Sequence, residues 1–226
     1  MATRRKPDAR HAGDAYGETR WPMAVAVVVA MVITALLPDT LRLSRPWVLP
    51  TVCGLLLAAL LAGDPGQISR RTTLLRIASV ALSVVLSLGA IWSTIQLVDD
   101  ICRDGHETDS AVELLQAGSC VWLGTVIACA VLYFELDCGG SAARAERMPR
   151  YPDLAFPQQL NPGVSPEGWR PRFVDYLYLG LTNATAFSPT DVMPLVPWAK
   201  AIMSIQALIS LIITGLVVAR AVNVLQ

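Results

Sequence analysis

Long apolar runs alternate with short polar connections along most of this chain. Five of the runs have close to the roughly 20 residues that an α-helix needs to cross the hydrocarbon core of a bilayer. They cover residues 21–38, 47–63, 73–98, 117–136 and 199–225. A transmembrane β-strand would need about 10 residues that alternate between apolar and polar, and the sequence has no such stretches. The pattern predicts an all-α fold, a polytopic bundle of transmembrane helices.

A sixth run, residues 173–195, is weaker because polar side chains interrupt it. The interrupting residues are Asp175, Thr182, Asn183, Thr185, Ser188, Thr190 and Asp191. The chain therefore has five or six hydrophobic segments, arranged in four regions. These are a polar basic N-terminal tail (1–20), a four-helix transmembrane region (21–137), a loop rich in Pro, Gly and Arg (138–172) and a membrane hairpin (173–226).

The composition supports a membrane environment. Hydrophobic residues make up 54% of the chain and charged residues 16%, with a mean hydropathy of +0.48. A soluble domain carries about 25% charged residues, and the net charge of zero gives no indication of nucleic-acid binding. We expect a multi-pass protein of a cell membrane, in the style of bacterial inner or plasma membranes, with the lipid bilayer as its main partner.

Basic residues divide unevenly between the loops. They concentrate in the N-terminal tail, around Arg70 to Arg76 and in the loop 138–172, whereas the loop 99–116 is acidic and contains only Arg103. Since Lys and Arg favour the cytoplasmic side, the N-terminus and the loop 138–172 are predicted to be cytoplasmic. If residues 173–195 cross the membrane, the chain has six crossings with both ends inside. The acidic loop is then a solvated outer loop, or a surface that gathers cations.

No catalytic or metal-binding motif is recognisable. The sequence lacks an HExxH pair, a phosphate-binding glycine loop and a GxSxG elbow, and its two histidines lie outside the apolar runs. The five cysteines form no CxxC pair, so we expect no zinc site. Cys102 and Cys120 flank one loop, where a disulfide is one alternative to free thiols. We expect a protein that is not an enzyme and has no cofactor or bound metal.

Three serines in the third run share one helix face. Ser79, Ser83 and Ser87 recur at every fourth residue, and residues four apart lie one above the other on a helix. Small residues at this spacing let helices approach closely in lipid. The face therefore predicts helix packing, with a hydrophilic path as the alternative.

Residues 173–225 resemble the pore module of potassium channels, without a gap. The stretch from Tyr178 to Asp191 resembles a pore helix that runs into a filter and its closing Asp. Residues 192–200 resemble the linker with its proline and its aromatic-small-basic triplet. The helix 201–225 resembles the inner helix, with Gly215 at a small position and Ser210 at the usual hinge glycine. The resemblance implies a pore-helix–turn–inner-helix hairpin and five crossings plus one half-inserted helix.

The filter itself departs from the channel pattern. Ala186-Phe187-Ser188-Pro189-Thr190 stands where channel filters have Thr-Val-Gly-Tyr-Gly. Carbonyl rings that replace the hydration shell of potassium depend on glycines, which reach backbone angles that other residues avoid. Pro189 fixes φ and has no N–H. We expect any cation path here to lack potassium selectivity.

The whole chain is also similar to a family of bacterial predicted membrane proteins that is grouped as a domain of unknown function. The similarity is clearest after residue 130. The motifs that carry it are Asp175-Tyr-Leu-Tyr178, Thr182 to Thr185, Ser188-Pro-Thr-Asp191, Val222-Asn-Val-Leu225 and the loop segment 153–157. Membership of this family implies the membrane fold but no particular activity.

The candidate functional residues cluster in the weak sixth run, because polar groups at membrane depth are costly unless they face a cavity, a partner helix or an ion path. They are Thr182, Asn183, Thr185, Phe187, Ser188, Pro189, Thr190 and Asp191, with Ser210 and Gly215 on the inner helix. One hypothesis is a channel-like or transport protein that passes or binds monovalent cations as a homo-oligomer, since one hairpin encloses no pore. The alternative is a non-conducting membrane scaffold or sensor. Asp191 either braces its turn or supplies charge at the mouth of the path.

Overall fold

The computed structural model describes residues 19–63, 72–103, 110–146, 149, 151–166, 168–185 and 191–224, and they are mostly α-helical. The helices are α1 (Trp21–Leu36), α2 (Val48–Gly63), α3 (Thr73–Cys102), α4 (Ala111–Leu136), α5 (Ser141–Glu146), α6 (Pro157–Leu160), α7 (Phe173–Thr185) and α8 (Pro197–Val224). Two short strands, β1 (Leu154–Ala155) and β2 (Met193–Pro194), form one antiparallel pair. The prediction of an all-α fold is confirmed.

Three helices in the described part of the chain are long and apolar enough to cross a membrane. They are α3, α4 and α8, and the apolar stretches that qualify run Thr73–Cys102, Ala111–Gly139 and Pro197–Val222. Helices α1 and α2 are equally apolar but shorter, with 16 residues each. Their composition fits a membrane protein, as the hydrophobic runs predicted.

Helix ends follow local chemistry. The hydroxyl of Thr72 caps α3 by accepting a hydrogen bond from the backbone N–H of Leu75, which satisfies one of the free donors in the first turn. Helix α4 begins at Ala111, six residues before the apolar run that starts at residue 117. Glu113 lies in that extra turn, where a carboxylate interacts favourably with the helix N-terminus. The polar first turn thus lengthens α4 beyond its apolar part.

Helix α4 lies at the centre of the bundle and contacts α1, α3, α7 and α8. Helix α3 runs antiparallel to it, because Arg76 and Ser79 near the start of α3 reach Glu135 near the end of α4. Helix α8 is also antiparallel, since its early residue Gln206 bonds to Tyr133. We name the two ends of the bundle by the limits of α4: the Ala111 end, where it begins, and the Asp137 end, where it stops.

The serine face of α3 is used for bonding within the bundle. Ser79 donates a 2.7 Å hydrogen bond to the carboxylate of Glu135. Ser83 and Ser87 donate to backbone carbonyls of their own helix, at 2.8 Å each. All three hydroxyls therefore have an acceptor, and these bonds are compatible with the packing interpretation of this face.

All five cysteines lie within the described residues and are free thiols. The alternative of a disulfide between Cys102 and Cys120 was wrong. Cys102 is the last residue of α3, whereas Cys120 lies inside α4, because α4 extends back to Ala111. The two residues therefore do not flank the loop as the apolar runs had indicated.

The weak sixth run folds into a short helix and a return. Helix α7 has 13 residues and ends at Thr185. The chain beyond it comes back to form β2, in which Pro194 is paired with Leu154 of β1. The N–H of Leu195 also donates to the carbonyl of Asp153 at 2.9 Å. Strand β1 itself is attached to the end of α4, so α7 starts and its return finishes at the Asp137 end.

Candidate functional site

The predicted site residues fall into three groups in space. Thr182, Asn183 and Thr185 occupy the last turns of α7, and Asp191 immediately precedes Val192 and β2. Ser210 and Gly215 lie on α8. The remaining predicted residues, Phe187, Ser188, Pro189 and Thr190, lie outside the described residues.

The two threonines bond to their own helix. Thr182 donates to the carbonyl of Tyr178 at 2.9 Å, and Thr185 donates to that of Leu181 at 3.0 Å. Such back-bonding lets a hydroxyl reside in apolar surroundings. The threonine oxygens keep their acceptor capacity, while Thr185 is exposed at the end of the helix.

Asn183 is the centre of a buried polar network that joins three helices. Its amide nitrogen donates to the carbonyl of Met203 and to the side-chain oxygen of Gln206, both at 2.9 Å. The same Gln206 oxygen accepts the hydroxyl of Tyr133 at 2.7 Å, and the Gln206 nitrogen donates to the carbonyl of Gly180 at 2.8 Å. The network ties α7 to α4 and α8 through side-chain donors that bond to both side-chain and backbone oxygens.

Gly180 lets α7 approach α4 closely. A Cβ atom at this position would lie 3.0 Å from the carbonyl oxygen of Val126 and 3.5 Å from the Cβ of Ala130. Small residues at helix contacts permit this kind of approach in membranes. The close contact and the Asn183 network together hold the short helix within the bundle.

Gln206 and Tyr133 were not among the predicted site residues. Gln206 is 1% exposed and Tyr133 is fully buried. The sequence contained one usable signal for Gln206, an amide side chain inside the apolar run 199–225. A polar side chain at that depth indicates a partner on another helix, and the structure identifies it.

The residues predicted on the inner helix differ in their surroundings. Ser210 is 1% exposed, and its hydroxyl has no hydrogen-bond partner among the described residues. Gly215 has open space beside it, because an added Cβ would meet no described atom within 4 Å. Within the described part of α8, neither residue makes a hydrogen bond to the Asn183 network.

Asp191 lies at the surface of the Asp137 end. Its side chain is exposed, and no hydrogen bond or ion pair joins its carboxylate to another described residue. It is two residues before Met193, which is paired with Ala155. The carboxylate therefore places a negative charge beside the return of the α7 hairpin.

A second buried network closes the Asp137 end of the bundle. One oxygen of the Asp137 carboxylate accepts the backbone N–H of Leu154 at 3.1 Å and the thiol of Cys138 at 3.2 Å. The other oxygen accepts the hydroxyl of Tyr176 in the first turns of α7. Asp137 thus joins the end of α4 to β1 and to α7.

Arg144 completes this junction. It is 4% exposed and donates a 2.6 Å hydrogen bond to the carbonyl of Asp137. Its guanidinium lies 4.8 Å from the ring centroid of Phe134 and 4.9 Å from that of Tyr176. A cation over aromatic faces is attracted by their electron density, so this arginine is held between helices.

Potential metal ligands gather at the same junction, where atoms of Asp137, Cys138 and Asp153 lie within 4.8 Å of one another. Their oxygens already accept bonds, since Asp153 takes the N–H of Cys138 at 2.9 Å. Cys138 has a positive φ of 53°, which is uncommon for a residue other than glycine. The bonds to Asp137 and Asp153 support that turn, and we assign the cluster a structural role.

A separate cavity of about 320 Å³ opens at the Asp137 end, between the start of α1, the start of α3 and the connection from α4 to α5. Glu135 lines it and is 1% exposed. Arg76 donates to the carbonyl of Glu135 at 2.7 Å and to its carboxylate at 3.2 Å. The sequence predictions had not singled out either residue.

Comparisons with known proteins add no identification, since no family model, no curated protein and no solved structure matches this chain.

Proposed function

We propose that α7 is a re-entrant helix, which enters the membrane from the Asp137 end and returns to it, and that α1 to α4 and α8 make five crossings. The observation that supports this most directly is the pairing of β2 with β1, because it returns the chain to the end at which α7 begins. The 13 residues of α7 rise about 20 Å, against a hydrocarbon core of about 30 Å. A helix of that length reaches only partway through.

The orientation follows from the basic residues. Four of the 18 belong to segments at the Ala111 end, namely Arg42, Arg45, Arg103 and Arg220. In the sequence, the others lie before α1, from the end of α2 to the first turn of α3, or from the end of α4 to the first turn of α8. The described helix ends that border these stretches belong to the Asp137 end, which is therefore cytoplasmic under the positive-inside tendency. With five crossings, the N-terminus is then inside and the C-terminus outside. This differs from the six-crossing arrangement, in which both ends are inside.

Reporter fusions test the arrangement directly. A reporter that is active only in the cytoplasm is expected to be active when fused at residue 1 or inserted at residue 145, and silent at residue 226. Activity at all three positions would support six crossings instead. Activity at residue 226 alone would support the re-entrant helix with the opposite orientation, the one that potassium-channel pore modules imply.

We further propose that the protein is a channel-like or transport protein that passes or binds cations without potassium selectivity. A re-entrant helix places its C-terminus inside the membrane, where the partial negative charge of a helix end favours a cation. Thr185 ends α7, and the segment from Ala186 to Thr190 follows it toward the exposed Asp191. Irregular backbone at membrane depth is tolerated where it is buried in protein or lines water.

An ion path would need more than one chain. One face of α7 is exposed, with Val174 58% exposed, Tyr178 56% and Leu181 42%. The open side of Gly215 on α8 also leaves room for close approach by another helix. A homo-oligomer that covers these surfaces with further copies would enclose the segment after Thr185 around a common axis.

A non-conducting scaffold or sensor is the second candidate, and a specific observation favours it. The amide of Asn183 is bonded within the bundle, and the hydroxyl protons of Thr182 and Thr185 are donated to their own helix. Polar residues that serve packing alone need no ion path. Flux through the purified protein separates the two candidates.

Asp191→Asn is the variant that tests the path, because it removes the charge and keeps most of the shape. We expect liposomes with the wild-type protein to pass potassium and sodium at similar rates, and the variant to reduce both rates severalfold. The variant should fold like the wild type, because the exposed carboxylate makes no bond to a described residue. Fluorescence assays of potassium and sodium uptake provide the measurement.

Asp39→Asn is the matched control, since Asp39 is also exposed but lies at the Ala111 end, in a pair with Arg42. It should leave both rates unchanged. Wild-type liposomes no more permeable than empty ones would favour the scaffold or sensor. Strong preference for potassium would contradict the argument from the missing filter glycines.

A further inference from the structure

Seven of the twelve residues that line the cavity at the Asp137 end are polar or charged. They include Arg20, Thr72, Thr73, Arg76 and Ser141. Its volume of about 320 Å³ is at the lower limit of the range for small-ligand sites. It lies apart from the α7 hairpin, because its walls come from α1, α3 and the connection from α4 to α5.

The charges that line the cavity favour an anion. Two arginines, Arg20 and Arg76, face one carboxylate, that of Glu135. That carboxylate already accepts Arg76 at 3.2 Å and Ser79 at 2.7 Å on one oxygen, and Ser141 at 3.4 Å on the other. Its charge is therefore compensated within the protein, and the described lining of the cavity has more arginines than carboxylates.

The guanidinium of Arg76 has N–H groups that its bonds to Glu135 do not use. Only its Nη1 atom donates to Glu135, while its side chain remains 38% exposed. The Nε and Nη2 groups make no hydrogen bond to the other described residues. A guanidinium offers its remaining N–H groups in a planar fork that matches the oxygens of a phosphate.

The first turn of α3 adds further donors. Thr72 and Thr73 line the cavity at the start of this 30-residue helix. The first N–H groups of a helix lack intrahelical acceptors, and their partial positive charge attracts anions. The first turn of α3 and Arg76 thus border the same cavity.

The position of the cavity indicates where such an anion comes from. Leu74 lies between cavity-lining residues of α3, and Ile77 lines the cavity itself; they are 80% and 59% exposed. Apolar residues exposed at the end of a membrane helix face lipid tails near the headgroup region. The cavity therefore lies where the phosphates of lipid headgroups are found.

We propose that this cavity binds a phosphate group, and that a phospholipid headgroup of the surrounding leaflet supplies it. Arg76 and the first turn of α3 hold the phosphate oxygens, and the buried Arg20 adds positive charge from the start of α1. Free inorganic phosphate has the same binding chemistry, so the experiment includes it.

Thr73→Asp is the test variant. An Asp in the first turn favours the helix N-terminus, so the protein should fold, but its charge repels a phosphate in the cavity. Native mass spectrometry of the full-length protein in detergent measures the binding of phosphatidylglycerol, with diacylglycerol as the lipid that lacks phosphate. We expect the wild type to prefer phosphatidylglycerol, and Thr73→Asp to weaken its binding by about tenfold or more.

Val112→Asp is the matched control, because it introduces the same charge in the first turn of α4, at an exposed position of the Ala111 end. It should bind phosphatidylglycerol as the wild type does. Millimolar inorganic phosphate could displace the lipid from the wild type but not from Thr73→Asp. That result would support the phosphate site but overturn the lipid as the source of the phosphate. Equal binding of the two lipids, or equal weakening in both variants, would overturn the site itself.

Discussion

Asp137→Ala is expected to lower the stability of the protein by about 3 kcal/mol, because it leaves the buried N–H of Leu154 and the hydroxyl of Tyr176 without their acceptor. For a chain of this size that corresponds to a fall in melting temperature of roughly 6–12 °C. Thermal denaturation of the purified protein in detergent measures it. Faster proteolysis within residues 138–172 should accompany the change, since β1 loses its attachment to α4.

Asp137→Asn distinguishes hydrogen bonding from charge. Asn keeps one acceptor oxygen for Leu154, and its amide can donate to the oxygen of Tyr176. The loss of stability should therefore be smaller than in the Ala variant. Asp99→Ala, at an exposed ion pair with Arg103, serves as the surface control. An Ala variant that melts at the wild-type temperature would show that the junction at Asp137 does not hold the fold.

Gln206→Leu is expected to cost about 2 kcal/mol, a drop in melting temperature of roughly 4–8 °C. It removes the acceptor of Tyr133 and Asn183 and the donor to Gly180 at once. Individual hydrogen bonds within membranes are often worth less than 1 kcal/mol, about 0.6 on average. We therefore expect the stability lost with all three bonds to stay near the value given. Thermal denaturation of the detergent-solubilised protein again provides the measurement.

Two comparisons make the result specific. Ser210→Ala, one turn further along α8, removes a buried hydroxyl that has no partner among the described residues, so its stability should match or exceed the wild type. The double variant Gln206→Leu with Tyr133→Phe should lose less stability than the two single variants lose together, because each single change already removes the bond between these two residues. Additive losses would mean that the bond between Tyr133 and Gln206 contributes nothing.

The sequence was sufficient for those parts of the fold that depend on local hydrophobicity. Apolar runs predicted α1, α2, α3 and α8 to within a few residues, because a lipid-length run has no other way to satisfy its backbone. The start of α4 was missed, since its first turn is polar and helical propensity without hydrophobicity is a weak signal. The run 173–195 matches the start of α7 at Phe173 but not its end at Thr185, because the return at residues 193–195 depends on pairing with residues 153–155.

The candidate site was likewise predictable only where a residue carried a local signal. Asn183 was a candidate because an amide at membrane depth is costly, and it does bond to neighbouring helices. Asp137 gave no such signal, since an acidic residue at the end of an apolar run is ordinary. Its partners Leu154 and Tyr176 are 17 and 39 residues away in the chain. Contacts at that separation follow from the packing of helices, which no local pattern in one sequence reveals.

The network around Gln206 also constrains the order in which the protein is made. Gln206 comes 23 residues after Asn183, so the ribosome completes α7 before the side chain that satisfies it exists. Until then the side-chain amide of Asn183 lacks both of its acceptors, and the hydrocarbon interior offers no other. In the proposed re-entrant arrangement, helix α7 therefore enters the membrane with α8 or after it, as a late step of insertion.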